Sequence, residues 1–175
     1  MKFILSLALL TVSTVSLAAG KFTLTTDSFK TTEMMPNKHV FNGFGCSGEN
    51  VSPSLSWTNA PAGTKSFAVT VYDPDAPTGS GWWHWTVVNI PATVMKIEEG
   101  KIPAGAVEGR TDFGKAGWGG ACPPQGDKPH RYIFTVFALK TDKLDVNADS
   151  SGALAGFMIN GNSLGKASFT VKYGR

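Results

Sequence analysis

Charge and cysteine are scarce in this chain, and so are long apolar runs. Charged residues make up 17% of its 175 residues, and the formal net charge is +3 at pH 7. Lys128, His130 and Arg131 form only a small basic cluster, too local for a nucleic-acid footprint. There is no internal repeat, no low-complexity tract and no long linker. A chain of this length without such features reads as one domain with a proper core. Beyond the first residues, no segment reaches the roughly 20 apolar residues of a spanning helix, so stable membrane insertion is not expected.

The single apolar run lies at the start. Lys2 precedes the almost wholly apolar Phe3–Leu10, and small residues follow at Ser16, Ala18 and Ala19. That is the layout of a secretory signal peptide. Cleavage after Ala18 sets Ser16 and Ala18 at the two small-residue positions, and cleavage after Ala19 is the alternative. Residues 1–19 are therefore read as a leader and 20–175 as a single domain of a periplasmic or secreted protein. An uncleaved anchor would need a longer, uninterrupted stretch. With only two cysteines and an oxidising destination, Cys46 and Cys122 are expected to form a disulfide; two buried free thiols are the other reading.

Turn residues, by contrast, are plentiful: 20 Gly and 10 Pro cut the chain into short segments. Between them lie runs rich in Val, Ile, Phe, Thr and Tyr, the residues that suit a pleated surface. Lys38–Asn42, Ser66–Tyr72, Trp85–Ile90, Tyr132–Leu139 and Lys166–Tyr173 are the strand candidates. SFAVTVY and YIFTVFAL are apolar on both faces, which predicts central strands covered on both sides. One helix is expected over Ser151–Asn160, capped by Ser150 or Ser151, with Ala153, Leu154, Phe157 and Met158 on one face.

Several strands carry a polar end on an apolar body. With side chains alternating, Asp73 follows the side of Phe67, Val69 and Val71; His84 shares a side with Thr86 and Val88; His130 shares one with Tyr132 and Phe134. If the ends meet, two Asp, two His and a Tyr form a pocket at the rim of a sheet. Pro74 and Pro77 restrict the backbone around Asp73 and Asp75, so the acidic corner is held in place. Each group also has a plain structural use: turn-forming Asp, half-buried His, Tyr in the core.

The segments YDPDAPTGSGWWHWTVVNIP (72–91) and CPPQGDKPHRYIFTVFAL (122–139) resemble the two signature regions of the phosphatidylethanolamine-binding protein family, nearest to its bacterial Raf-kinase-inhibitor-like branch. NVSPSLSW (50–57), PAGTKSF (61–67), RTDFG (110–114) and SGALAGF (151–157) resemble that branch as well. The resemblance implies a mainly β fold: a large antiparallel sheet packed on a smaller one, with a few short peripheral helices. It also implies a small anion-binding pocket at the sheet's end. Carried over by motif, the ligand-binding residues are Asp73, Asp75, His84, His130 and Tyr132, with Pro123 and Pro124 in the wall and Trp57 and Trp83 as further lining. Eukaryotic members have a C-terminal helix beside the pocket. No counterpart is expected after Tyr173, so their lipid, gating and kinase contacts are not carried over.

The reading that follows is an exported, non-catalytic binding protein for a small anionic or phosphorylated ligand, which also regulates or inhibits a partner protein. The alternative is a hydrolase using the Asp/His cluster, although no nucleophile elbow is read in the sequence. No cofactor is called for, and the spacing of Asp73, Asp75, His84 and His130 fits no short metal-ligand motif. The stretch Pro91–Gly109 is a candidate partner-contacting loop, and oligomeric state is open. GFGCSG (43–48) matches the dinucleotide fingerprint by letter, but Pro53 and polar residues follow where a helix should start. It is expected to be a turn-rich loop carrying the disulfide.

Overall fold

The computed structural model describes residues 20–175. The leader read at 1–19 lies outside the described residues. Ten strands and one α-helix follow in chain order: β1 (Thr23–Thr25), a 3-10 turn (Asn37–His39), β2 (Asn42–Gly43), β3 (Cys46–Ser47), β4 (Leu55–Thr58), β5 (Ser66–Asp73), β6 (Trp82–Pro91), β7 (Lys96–Ile97), β8 (Val107–Glu108), β9 (His130–Leu139), α1 (Gly152–Asn162) and β10 (Ser163–Tyr173). The main sheet has the order β10-β9-β5-β6-β8 and a smaller one the order β1-β4-β7. All the strand pairings are antiparallel.

The apolar strands β5 and β9 pair at the middle of the large sheet, as two-sided burial requires. One face packs on the small sheet: Val69, Val71, Trp85, Phe134 and Val136 meet Leu24, Leu55, Trp57 and Ile97. The other face lies under α1, where Ala68, Val88, Phe137 and Leu139 pack with Ala155 and Ile159. The edge strand β10 alternates, burying Ala167 and Val171.

Two local expectations are corrected. Lys38–Asn42 is not a strand: the 3-10 turn takes its first half, Val40 makes only a bridge to Ala121, and strand pairing starts at Asn42. The stretch Pro91–Gly109 is not simply a loop, since it carries β7 and β8. The helix is capped by Ser151, whose side chain accepts from the Leu154 amide, and the face it buries is not the one that carries its larger side chains. Gly152, Ala155, Gly156 and Ile159 point inward, while Leu154 is 48% and Phe157 79% exposed. The cause is Trp83. A Cβ on Gly152 would lie 2.3 Å from the Trp83 ring, and one on Gly156 3.2 Å from it. Only glycines let the helix sit this close.

Candidate functional site

The site forms where β5 ends and β6 and β9 begin. Antiparallel order puts these three ends on one rim. Asp73 closes β5, Trp82 and His84 open β6, and His130 and Tyr132 open β9. Together with Ala76, Pro77 and Thr78 from the turn, Phe113, the Cys122–Pro124 segment and Phe44, they line a cavity of about 160 Å³.

A bulge aims His84 into it. Tyr72 pairs with Trp83 and Val71 with Trp85, which leaves His84 without a partner opposite. Bulges of this kind redirect a side chain next to functional sites. Trp85 and Val87 therefore keep the core face, whereas strict alternation predicted His84, Thr86 and Val88 on one side.

The cavity's polar groups have defined roles. Asp73 is buried; its Oδ2 lies 2.7 Å from His130 Nδ1 and its Oδ1 accepts from the Asp75 amide at 2.7 Å. A carboxylate only accepts, so His130 Nδ1 carries the proton. His84 Nδ1 lies 2.7 Å from the Gly119 carbonyl and 3.2 Å from that of Gly120. Carbonyls also only accept, so Nδ1 is protonated there too, and Nε2 is the nitrogen left without a protein partner among the described residues. Burial pushes the His84 pKa down, so the ring favours its neutral form. Burial, and after it the Asp73 charge, pushes the Tyr132 pKa far up, which keeps its phenol protonated. The Cys122 amide leans toward that oxygen, but the Tyr132 hydroxyl and the Trp82 Nε1–H are buried with no partner among the described residues.

Of the residues expected to line the pocket, Asp73, His84, Pro123, Pro124, His130 and Tyr132 do so. Asp75 does not. It turns outward, where its carboxylate accepts from Arg131 Nε at 2.9 Å, Nη2 at 2.7 Å and the Arg131 amide at 2.8 Å. That fork-to-carboxylate pairing holds the Asp75 pKa down to about 2. Trp57 is 1% exposed in the core between the sheets and does not reach the cavity. Trp83 sits on the opposite face, against Tyr72 at a ring distance of 4.9 Å and under α1. Its neighbour Trp82 takes the lining role, as alternation from His84 would have indicated.

Phe44 and Phe113 were missed because they come from loops with no periodic signal. Phe113 joins the two sides: its ring lies 5.3 Å from Trp82, 5.4 Å from His84 and 4.0 Å from Phe41, the last stacked. The Cys46–Cys122 disulfide is present in the structure. GFGCSG is the β2–β3 hairpin, with no helix after it. A second string went unread: Gly161–Gly165 spells Gly-x-Ser-x-Gly. It runs from helix into strand, the reverse of a nucleophile elbow, and Ser163 sits at the C-terminal cap of α1 and does not line the cavity. Among the described residues, no group of three His, Cys, Asp or Glu is placed to hold a metal ion, and no helix is long and apolar enough to cross a membrane.

Comparison with known proteins gives a consistent result. The profile described as "Phosphatidylethanolamine-binding protein" matches residues 25–174. The Escherichia coli protein YbcL is 57% identical over 99% of this chain and 98% of its own length. YbhB of the same organism is 52% identical over 81% of this chain and 92% of its own. The crystal structure of E. coli YbcL, described as a new member of the mammalian PEBP family, superposes with a TM-score of 0.87 at 59% identity, covering 89% of this chain and 99% of that one.

Proposed function

The chain belongs to the phosphatidylethanolamine-binding protein family, and from that premise we propose that it is an exported binding protein whose cavity takes a small phosphoryl or similar anionic ligand without turning it over. The observation that carries the reading is the imbalance of the cavity's polar groups. Asp73, the one carboxylate among the described residues that line it, already accepts from His130 and the Asp75 amide. Two of the unspent groups are donors, the Tyr132 O–H and the Trp82 N–H, while neutral His84 leaves Nε2 as an acceptor for a protonated phosphoryl oxygen. Buried donors without acceptors are costly. A ligand presenting several oxygens satisfies them together, and a cavity of about 160 Å³ suits a phosphoryl head.

Non-catalytic binding is supported by what the cavity holds. Cys122 is in a disulfide, and the Thr78 hydroxyl donates to the Gly81 carbonyl at 2.6 Å. Neither is placed beside a base as an activated nucleophile. Export is supported by the leader pattern of residues 1–19 and by the pairing of both cysteines. Control of a partner protein through the cavity rim is part of the same reading.

The test is calorimetry with inorganic phosphate and O-phosphorylethanolamine. Tyr132→Phe and Trp82→Phe each remove one donor while keeping a ring, and each should weaken binding about tenfold. Wild-type protein that binds neither probe, or variants that bind as well as wild type, would overturn the reading. Product release in a phosphoester turnover assay would favour the hydrolase.

A further inference from the structure

We propose that Arg175 is a positioning residue for the cavity: its guanidinium ties the Phe44 hairpin to the Pro123 wall and so fixes the mouth through which a ligand enters. This rests on the binding reading above. The hairpin cannot hold itself. Its strands β2 and β3 pair at two positions only, Asn42 with Ser47 and Gly43 with Cys46, and so short a ribbon is marginal in water. Its tip is also strained. Gly43, Phe44 and Gly45 all have positive φ, at 146°, 52° and 81°, and for Phe44 that conformation persists only where neighbours over-determine it. Core burial does not supply this, because Phe44 is 70% exposed.

Arg175 supplies it. Nε donates to the Pro123 carbonyl at 2.7 Å, Nη1 to the Gly45 carbonyl at 2.9 Å and Nη2 to the Phe44 carbonyl at 3.2 Å. The Arg175 carbonyl accepts from the Gly126 amide at 3.0 Å, which anchors the residue to the same wall segment. One planar fork thus spans both lips of the cavity, a geometry a lysine cannot reproduce. The Cys46–Cys122 bond crosses the same gap beside it. Arg175 lies at the surface beyond β10 and is no part of either core cluster, so its work is local to this mouth.

The experiment compares wild type, Arg175→Ala and Arg175→Lys in three measurements: thermal melting, amide hydrogen exchange, and calorimetric binding of inorganic phosphate and O-phosphorylethanolamine. The expected result for Arg175→Ala is a nearly unchanged melting temperature and exchange about tenfold faster across 41–48 and 121–126, with β5 and β9 unaffected. Probe binding should weaken about fivefold, with Arg175→Lys recovering only part of it. Unchanged exchange at the hairpin overturns the proposal. So does faster exchange with unchanged binding, which would make Arg175 a strap without consequence for the cavity. If neither probe binds wild type, the binding reading fails, and hairpin exchange alone decides whether Arg175 sets the mouth.

Discussion

Asp73 Oδ2 and His130 Nδ1 lie 2.7 Å apart, with both side chains almost wholly buried. A carboxylate in this cavity has its explanation here: it does not face the opening as a bare charge. It fixes which His130 nitrogen is protonated and, through Oδ1, closes the turn onto Asp75. Asp73→Ala strands the buried Nδ1–H and the Asp75 amide, so urea unfolding should show a loss of about 2 kcal/mol. Phosphoryl-probe affinity should fall with it. An unchanged unfolding midpoint would mean that the pair does not hold the corner.

Asp75 sits two residues away and should behave differently. It pairs with Arg131 at the surface, where both groups are substantially solvated. An exposed pair contributes about 0.2–1 kcal/mol, so Asp75→Asn should cost no more than that and leave probe binding within about twofold. Its folded pKa, about 2, is depressed below the unfolded value near 3.9. The contribution is therefore present above about pH 4 and is lost as pH falls through about 2. Titrating stability of the wild type and Asp75→Asn between pH 5 and 2 checks this, and the two curves should converge at the acidic end.

The contrast between these two aspartates shows what the sequence made legible. Two-sided apolarity placed β5 and β9 at the middle of the sheet, and polar strand ends marked Asp73, His84, His130 and Tyr132. Alternation stops at Pro74, however, where the chain leaves the strand, so nothing in the spacing told that Asp75 turns outward. Trp83 was assigned by family motif where alternation from His84 pointed to Trp82. Phe44 and Phe113 reach the cavity through loops, and Arg175 ties its wall from beyond β10; long-range closure leaves no local pattern to read. Which face of the helix is buried was not legible from residue size, because the neighbour there is the Trp83 ring, which leaves room only for small residues.

The packing of that helix face is measurable. Gly152→Ala places a methyl where the Trp83 ring already is, at 2.3 Å, and overpacking of this kind costs about 1–3 kcal/mol. Phe157→Ser, at a position 79% exposed, should change stability by less than about 0.5 kcal/mol. Chemical denaturation of the two variants should therefore rank them opposite to residue size. A large loss for Phe157→Ser would show the outward face to be covered.

Two buried histidines predict acid sensitivity. His84 and His39 both have pKa values lowered chiefly by burial. The unfolded chain, with histidines near 6.5, binds more protons than the folded one just below that pH. Their contribution is thus fully present above about pH 6.5 and declines as pH falls through the lowered folded values. The urea midpoint should be lower at pH 5 than at pH 8, and His39→Asn should reduce the difference. His39 is the better residue to remove because it lies away from the cavity, with Nδ1 on the Val51 carbonyl. A midpoint that rises on acidification would contradict the burial argument.

The disulfide makes the last separation, between the stability of the fold and the shape of the cavity. Cys46 and Cys122 are 76 residues apart, and closing a loop of that order stabilises by about 4 kcal/mol in the chain-entropy model, with measured values commonly nearer 2. Replacing both cysteines by serine should lower unfolding free energy by about 2–4 kcal/mol while the β5–β6–β9 framework stays folded. Only the hairpin and the Cys122–Pro124 wall depend on the link locally, and Arg175 spans the same gap. The two restraints join the same two segments at neighbouring residues, so their effects should not add. Removing Arg175 from the disulfide-free protein should accelerate hairpin exchange by more than the product of the separate factors, because either restraint alone still tethers the loosened hairpin to the wall. Factors that simply multiply would mean that the bond and the guanidinium hold different parts of the wall.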